Sequence, residues 1–282
     1  MTTTFAELGV ATDLVDVLSA KGISEAFPIQ ELTIADALAG RDVCGKAKTG
    51  SGKTLAFGLP TVQRIAGGNG RGRVAGLVLV PTRELATQVY EELAPLAQVR
   101  GLRSLAVYGG ADIERQIKKL NQGVELIVAT PGRMIDLLDR GVVSVAEVGH
   151  VVIDEADRMA DMGFLPQVEW ILRRIEGEHQ TLRFSATLDG AVDSLVSRYQ
   201  NDPVRHEVDA SEVTVEAMTH RFLGVHEMDR RKVVATIVES AKRTMVFCNT
   251  KRACDRLAAE LDKLGVSAEP IHGDLRQRQR EK

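Results

Sequence analysis

Two peptides carry the reactive chemistry of this chain. Residues 47–54 read Ala47-Lys48-Thr49-Gly50-Ser51-Gly52-Lys53-Thr54, and further on the apolar run Val151-Val152-Ile153 passes straight into Asp154-Glu155-Ala156-Asp157. A glycine-rich turn that opens a helix offers several backbone N–H groups to phosphate oxygens, while Lys53 adds a cation and Thr54 a hydroxyl able to ligate magnesium. A carboxylate leaving a buried strand, as Asp154 does, would hold that magnesium's waters. Taken singly, the first peptide reads equally as a flexible loop and the second as a solvated acidic turn. Their order, and the lack of any polar residue between the apolar run and Asp154, favour nucleotide hydrolysis.

Short Val-, Ile- and Leu-rich runs alternate with helical patterns and predict six strands, over Asp42 to Ala47, Val74 to Val80, Ser104 to Tyr108, Leu126 to Ala129, His150 to Asp154 and Thr181 to Ser185. Such alternation implies βαβ units and a parallel sheet, hence an α/β fold. In a parallel sheet every strand's carboxyl end lies on one edge, the edge where open α/β folds bind ligands. The unusual peptides all follow these strands. In chain order they are the glycine-rich loop, Pro81-Thr82-Arg83-Glu84-Leu85, Gly109-Gly110, Thr130-Pro131-Gly132-Arg133, Asp154 to Asp157, and Ser185-Ala186-Thr187.

Thr130 suits an N-cap and Pro131 a first helical residue, so this peptide makes a helix start with free N–H groups and an arginine beside them. Pro81-Thr82-Arg83 repeats that logic, and Gly109-Gly110 lets a backbone come close to a phosphate. Any one of the three reads also as a mere capped helix or tight turn. Three on one sheet edge, beside a nucleotide loop, favour a track for a nucleic acid strand gripped by its backbone, independently of base identity.

The 282 residues are enough for about two domains, and 44% hydrophobic with 27% charged residues is an ordinary globular composition. With a formal net charge of -3 there is no global basic field, so a nucleic-acid site must be local. Cys44, Cys248 and Cys254 lack C-x-x-C spacing and the six histidines are scattered. Reduced thiols, no structural zinc and a cytoplasmic location are expected. The start, Met1-Thr2-Thr3-Thr4-Phe5, lacks the basic and apolar regions of a secretion signal, and no apolar stretch approaches the roughly 18 residues that span a bilayer.

Composition divides the chain into a first lobe over residues 1–208, a polar linker over 209–218 that follows Asn201-Asp202-Pro203, and a second α/β pattern over 219–282. The two lobes share a pattern. Val78 to Arg83, running on to Glu92-Leu93, aligns without gaps on Val246 to Lys251, running on to Glu260-Leu261, and Val107 to Gly110 then aligns on Ile271 to Asp274. This reads as a weak internal duplication, with generic βα similarity as the alternative. The second copy stops early, at Lys282, where the first continues through further strands.

Together these motifs resemble those of the DEAD-box ATP-dependent RNA helicases, over nearly the whole chain. The resemblance implies a RecA-like P-loop lobe with a parallel sheet, then a partial second RecA-like lobe, with ATP and Mg2+ as cofactors. It implies RNA as the partner, held mainly through its sugar-phosphate backbone and locally unwound as ATP is hydrolysed. It gives ATP phosphate binding to Ala47, Lys48, Thr49, Gly50, Ser51, Gly52, Lys53 and Thr54, and the metal to Thr54 and Asp154. Lys53, Asp154 and Glu155 become catalytic, with Glu155 orienting the attacking water. RNA contact falls to Pro81, Thr82, Arg83, Gly109, Gly110, Thr130, Pro131, Gly132 and Arg133, joined by Thr250 and Gly273 in the second lobe. Asp157, Ser185 and Thr187 would couple nucleotide state to closure of the lobes.

Upstream, Gly22-Ile23 through Pro28-Ile29-Gln30, with Phe5 seventeen residues before Gly22, resembles the family's adenine-reading segment. By that resemblance Gln30 would recognise the adenine edge and Phe5 would stack on its ring. A carboxamide offers a donor and an acceptor side by side, the complement of adenine's amino group and ring nitrogen; without the flanking peptide, Gln30 reads as a surface helix residue. Ala26-Phe27 stands where the family usually has Pro-Thr, so a hydroxyl that often links this segment to the phosphate loop is absent. His272-Gly273-Asp274, with Gln277 and Arg280, resembles a second-lobe motif, but the later ones, with arginines that reach the γ-phosphate, are missing from these residues. The other reading of the chain is therefore a nucleotide-dependent RNA-binding module with little catalysis.

Overall fold

The computed structural model describes residues 3–66, 73–187, 197–208, 219, 221–241, 243–275 and 277–280. The chain forms two compact units, Met1–Thr214 and Val215–Lys282. The linker expected over 209–218 lies outside the described residues.

The first unit opens with helices α1 (Thr12–Ala20) and α2 (Pro28–Leu38), then alternates β1 (Val43–Lys46), α3 (Lys53–Ala66), β2 (Gly76–Leu79), α4 (Arg83–Val99), β3 (Ser104–Val107), α5 (Ile113–Leu120), β4 (Leu126–Ala129) and α6 (Pro131–Asp139). It continues with β5 (His150–Asp154), α7 (Ala156–Asp161), α8 (Leu165–Leu172), β6 (Gln180–Ser185) and β7 (Val204–Glu207). The strands make one sheet in the order β3-β4-β2-β5-β6-β1-β7, and every pairing is parallel. All six expected strands are present. β7 was not anticipated: it lies in the last residues assigned to the first lobe, and Val204–Glu207, alternating half-buried with exposed positions at a sheet edge, makes no apolar run. Pairing with β1 makes it a strand, through Val43 level with Val204 and Lys46 level with Glu207.

Side-chain alternation explains why the inner strands read as unbroken apolar runs. Val78, Val128 and Val152 face a core shared with Leu14, Ile29, Phe57 and Leu93. Their neighbours Leu77, Ile127, Val151 and Ile153 face a second core with Met134, Leu137, Met159 and Ile171. A parallel strand covered on both faces has no polar side to show.

In the second unit the described elements are a 3-10 turn (Glu227–Asp229) and helices α9 (Arg230–Glu239), α10 (Lys251–Lys263) and the short α11 (Gln277–Arg280). Strands expected near Val246 and Ile271 are not formed among the described residues. Met245, Phe247 and Ile271 are 74%, 88% and 64% exposed, so these runs have neither ladder partners nor a covered face. The apolar contacts of this unit join Ala235, Leu257, Leu261 and Val266.

Candidate nucleotide site and backbone track

The parallel sheet sets the expected loops side by side on one edge. From strand order, the turn after β1 (residues 47–54) neighbours Ser185–Thr187 after β6, then Asp154–Asp157 after β5, Pro81–Arg83 after β2, Thr130–Arg133 after β4 and Gly109-Gly110 after β3. With strands about 4.8 Å apart, the candidate nucleotide loops and the candidate backbone-gripping loops lie within a few strand widths.

In the glycine-rich turn, Gly50 and Gly52 have φ of 85° and 83°, backbone that only glycine adopts without strain. Ser51 Oγ donates to the Lys48 carbonyl at 2.7 Å. Lys53 begins α3, is nearly buried, and donates through Nζ to the Ala47 carbonyl at 2.7 Å. The lysine thus folds back across the loop where a phosphate would lie. Thr54 shares a side-chain hydrogen bond with Glu92 of α4, whose carboxyl burial pushes up while Thr54 pulls it down. No motif pointed to Glu92.

Asp154 is 3% exposed and its carboxyl is pushed up to about 7 by burial, against the opposing pull of Lys53 and of the Glu155 N–H, which donates to Oδ1 at 2.9 Å. Glu155 sits at φ 49°, ψ 48°, the left-handed region that a non-glycine residue enters only where surrounding structure holds it. Its Oε2 accepts from Arg158 at 3.1 Å. Asp157 joins the next loop: its N–H donates to Ser185 Oγ at 3.3 Å, and its Oδ2 accepts from the N–H groups of Ala186 and Thr187 at 3.1 and 3.2 Å. The Ser185 carbonyl in turn accepts from Ala47 N–H at 3.0 Å. Three loops form one hydrogen-bonded unit.

In the segment expected to read adenine, Gln30 departs from its alternative reading as a surface residue and Phe5 from its expected role. Gln30 is neither a surface residue nor idle: it is 2% exposed, its Oε1 accepts from Phe27 N–H at 2.8 Å and its Nε2 donates to the Gly52 carbonyl at 2.8 Å. The carboxamide itself supplies the link to the phosphate loop that the missing hydroxyl would have made. Phe5 is 1% exposed within the apolar core beside Val10, Leu14 and Leu18, so in this structure its ring presents no face to a base.

On the track, Thr82 caps α4 by accepting from Leu85 N–H at 3.2 Å. Thr250 caps α10 in the same way, from Ala253 N–H at 3.1 Å. The Arg83 guanidinium carbon lies 2.8 Å from where a Cβ on Gly110 would stand, and Lys251 Nζ lies 3.9 Å from the equivalent point on Gly273. The aligned Thr82 and Thr250 therefore share the capping bond, while the cation contacts differ, since Gly110 aligns on Asp274 and Gly273 on Gly109. Thr130 is the N-cap residue of α6 but its hydroxyl makes no capping bond, and Pro131 follows as the first helical residue. Gly132 is exposed.

Arg133 behaves otherwise than expected. Its side chain is 10% exposed and turned inward, Nη1 donating to Gln116 Oε1 at 2.8 Å and Nη2 to the Ala111 carbonyl at 3.2 Å. Gln116 donates onward to the Tyr108 carbonyl at 3.2 Å. The pair braces both flanks of Gly109-Gly110, so the charge expected to meet phosphate is engaged in holding the loop. Helix spacing gave no sign of Gln116.

The DEAD/DEAH box helicase family model matches residues 27–195, and that of the helicase conserved C-terminal domain matches 229–282. The chain is 42% identical over 280 residues to a protein of Geobacillus kaustophilus named DEAD-box ATP-dependent RNA helicase CshA, covering 99% of this chain and 60% of that protein. The Bacillus subtilis protein of the same name is 40% identical, with 99% of this chain and 57% of that protein covered. The chain thus spans somewhat over half the length of the curated relatives it matches. Among solved structures, a DEAD box protein from the hyperthermophile Methanococcus jannaschii matches at TM-score 0.69 and 32% identity, over 99% of this chain and 75% of that one. The chain belongs to the DEAD/DEAH box helicase family.

Proposed function

We propose that this chain binds ATP with Mg2+ at the β1, β5 and β6 loops, grips RNA backbone at the β2, β3 and β4 loops, and serves an ATP-dependent RNA helicase. The observation that carries this reading is the hydrogen-bonded junction of Ala47, Ser185, Asp157 and Thr187, which ties the phosphate loop to the hydrolysis loop in the middle of the sheet edge. Loop N–H groups of residues 48–54 and Lys53 hold the β- and γ-phosphates, Gln30 reads adenine with its second donor and second acceptor, and Glu155 orients the attacking water. Thr54 and the buried Asp154 form an oxygen donor set that fits a hard divalent cation. Mg2+, when bound there, supplies positive charge against the phosphate oxygens.

RNA lies across the Thr82 and Thr130 helix starts and the Gly109-Gly110 turn, with Arg83 beside it and Arg133 acting through the loop it braces; Thr250 and Gly273 are the second unit's own candidates for RNA contact. Three unpaired cysteines fit a cytoplasmic location. Among the described residues no helix is long and apolar enough to cross a membrane.

A second reading, nucleotide-dependent RNA binding with little turnover, is favoured by one observation: the second unit forms no strand among its described residues, with Phe222 and Phe247 95% and 88% exposed. ATP turnover by this chain, measured with Mg2+ and with or without single-stranded RNA, separates the two. A rate raised by RNA supports hydrolysis coupled to RNA; binding of both ligands at an unchanged, low rate supports the second reading.

A further inference from the structure

We propose that Phe27, and not Phe5, supplies the aromatic face on which the base of the bound nucleotide stacks. The inference deepens the nucleotide-site reading above and rests on it. Phe27 is 56% exposed, while Phe5 is 1% exposed and packed in the core. Phe27 is the N-cap residue of α2, in extended backbone at φ -76°, ψ 158°, and Pro28 fixes the helix immediately after it. Its N–H is held by Gln30 Oε1, so the ring is anchored to the same carboxamide that bonds the Gly52 carbonyl.

The ring also touches the phosphate loop. Phe27 Cδ2 lies 2.6 Å from where a Cβ on Gly52 would stand, and Gln30 Nε2 lies closer still to that point. Glycine at 52, already required by its positive φ, therefore also makes room for the ring edge and the carboxamide together. A nucleotide whose phosphates enter the turn before Lys53 brings its base past this corner. There it meets the exposed face of Phe27 beside the Gln30 carboxamide, which is 2% exposed and holds the Phe27 N–H and the Gly52 carbonyl. Stacking accepts any base, because every base has a π-face, whereas the Gln30 edge discriminates. The two residues thus divide affinity from selectivity. The bulky Ala26-Phe27 replacement, read from sequence as the loss of a link, becomes the gain of a platform.

The test uses the whole chain and three ligands: ATP, GTP and inorganic tripolyphosphate. Phe27→Ala raises the dissociation constants of ATP and GTP alike, by a factor of roughly 5 to 150, and leaves tripolyphosphate within about twofold. Phe27→Trp restores nucleotide affinity, and its fluorescence is quenched by ATP but not by tripolyphosphate; the single native tryptophan, Trp170, lies on α8, packed against the opposite core, and serves as the unquenched reference. Unchanged nucleotide affinity in Phe27→Ala overturns the proposal, as does an equal loss for tripolyphosphate. Weakened ATP binding in Phe5→Leu at an unchanged melting temperature, with Phe27→Ala silent, returns the base to Phe5. Lys53→Ala keeps the two levels apart. If it binds ATP normally, the nucleotide-site reading fails; if it loses ATP while Phe27→Ala does not, only the stacking proposal fails.

Discussion

The carboxylate of Asp157, in the loop after β5, accepts a hydrogen bond from the Thr187 N–H at 3.2 Å and lies 3.4 Å from the Thr187 hydroxyl, in the loop after β6. Two neighbouring strands thus end in one clamp, two residues from Glu155. Asp157→Ala removes the acceptor for two backbone N–H groups. ATP affinity should stay within about threefold while stimulation of ATP turnover by RNA falls by roughly 5- to 150-fold, the usual range of a coupling energy. Steady-state turnover with and without RNA reads this directly, and full stimulation in the variant would mean the clamp only shapes the loop.

Asp154 gives a pH-dependent signature of a strained site. Its folded-state value of about 7 lies above the ordinary 3.8, so between those limits the folded protein holds a proton that the unfolded chain has lost. Stability contributed by this group is therefore full below pH 4 and is lost as pH rises toward 7. In protein free of metal and nucleotide, Asp154→Asn should melt higher than the parent at pH 8, by a few degrees, with the difference closing near pH 4. Thermal melts across that range check it; a variant that melts lower at pH 8 would show the carboxylate to be well stabilised.

Arg83 and Arg133, alike in sequence, should separate in experiment. Arg83→Ala should weaken single-stranded RNA binding equally for every sequence and lower the salt slope by about 1, as loss of a phosphate contact does. Arg133→Ala should weaken binding without changing that slope, because it releases the Gly109-Gly110 turn, and Gln116→Ala should copy it. Affinity measured from low to moderate salt decides, and a reduced slope for Arg133→Ala would put its charge on the RNA.

Gln30→Ala should cost ATP about 1 to 3 kcal/mol more than GTP through loss of the paired contact to adenine. Both nucleotides should also weaken somewhat, since Gln30 tethers Gly52 and Phe27. Titrations with the two nucleotides test this; equal losses would leave Gln30 as a tether alone.

Much of this was legible in sequence because period and punctuation report backbone. Strands β1 to β6, the glycine-rich turn and the helix starts at Thr82 and Thr130 follow from apolar runs and capping residues alone. β7 escaped because a short edge strand with one wet face makes no apolar run. Phe5 and Arg133 turn inward where the sequence suggested contact with a ligand, because residue type and position do not reveal which way a side chain turns. A phenylalanine near the start of the chain is as easily core as platform, and an arginine at a helix start braces a loop when a partner such as Gln116 lies on the next helix. Glu92 and Gln116 gave no signal at all, since their partners lie 38 and 17 residues away along the chain.

The most direct test of the central claim is single-turnover ATP hydrolysis by Glu155→Gln, set beside its ATP affinity, with Lys53→Ala in parallel. In the proposed roles Glu155 acts on water only as reaction begins, whereas Lys53 touches ground-state phosphates. The account predicts that Glu155→Gln binds ATP within about threefold of the parent and loses turnover by a factor on the order of 10² to 10⁴, while Lys53→Ala loses binding itself. Parental turnover in Glu155→Gln would contradict it.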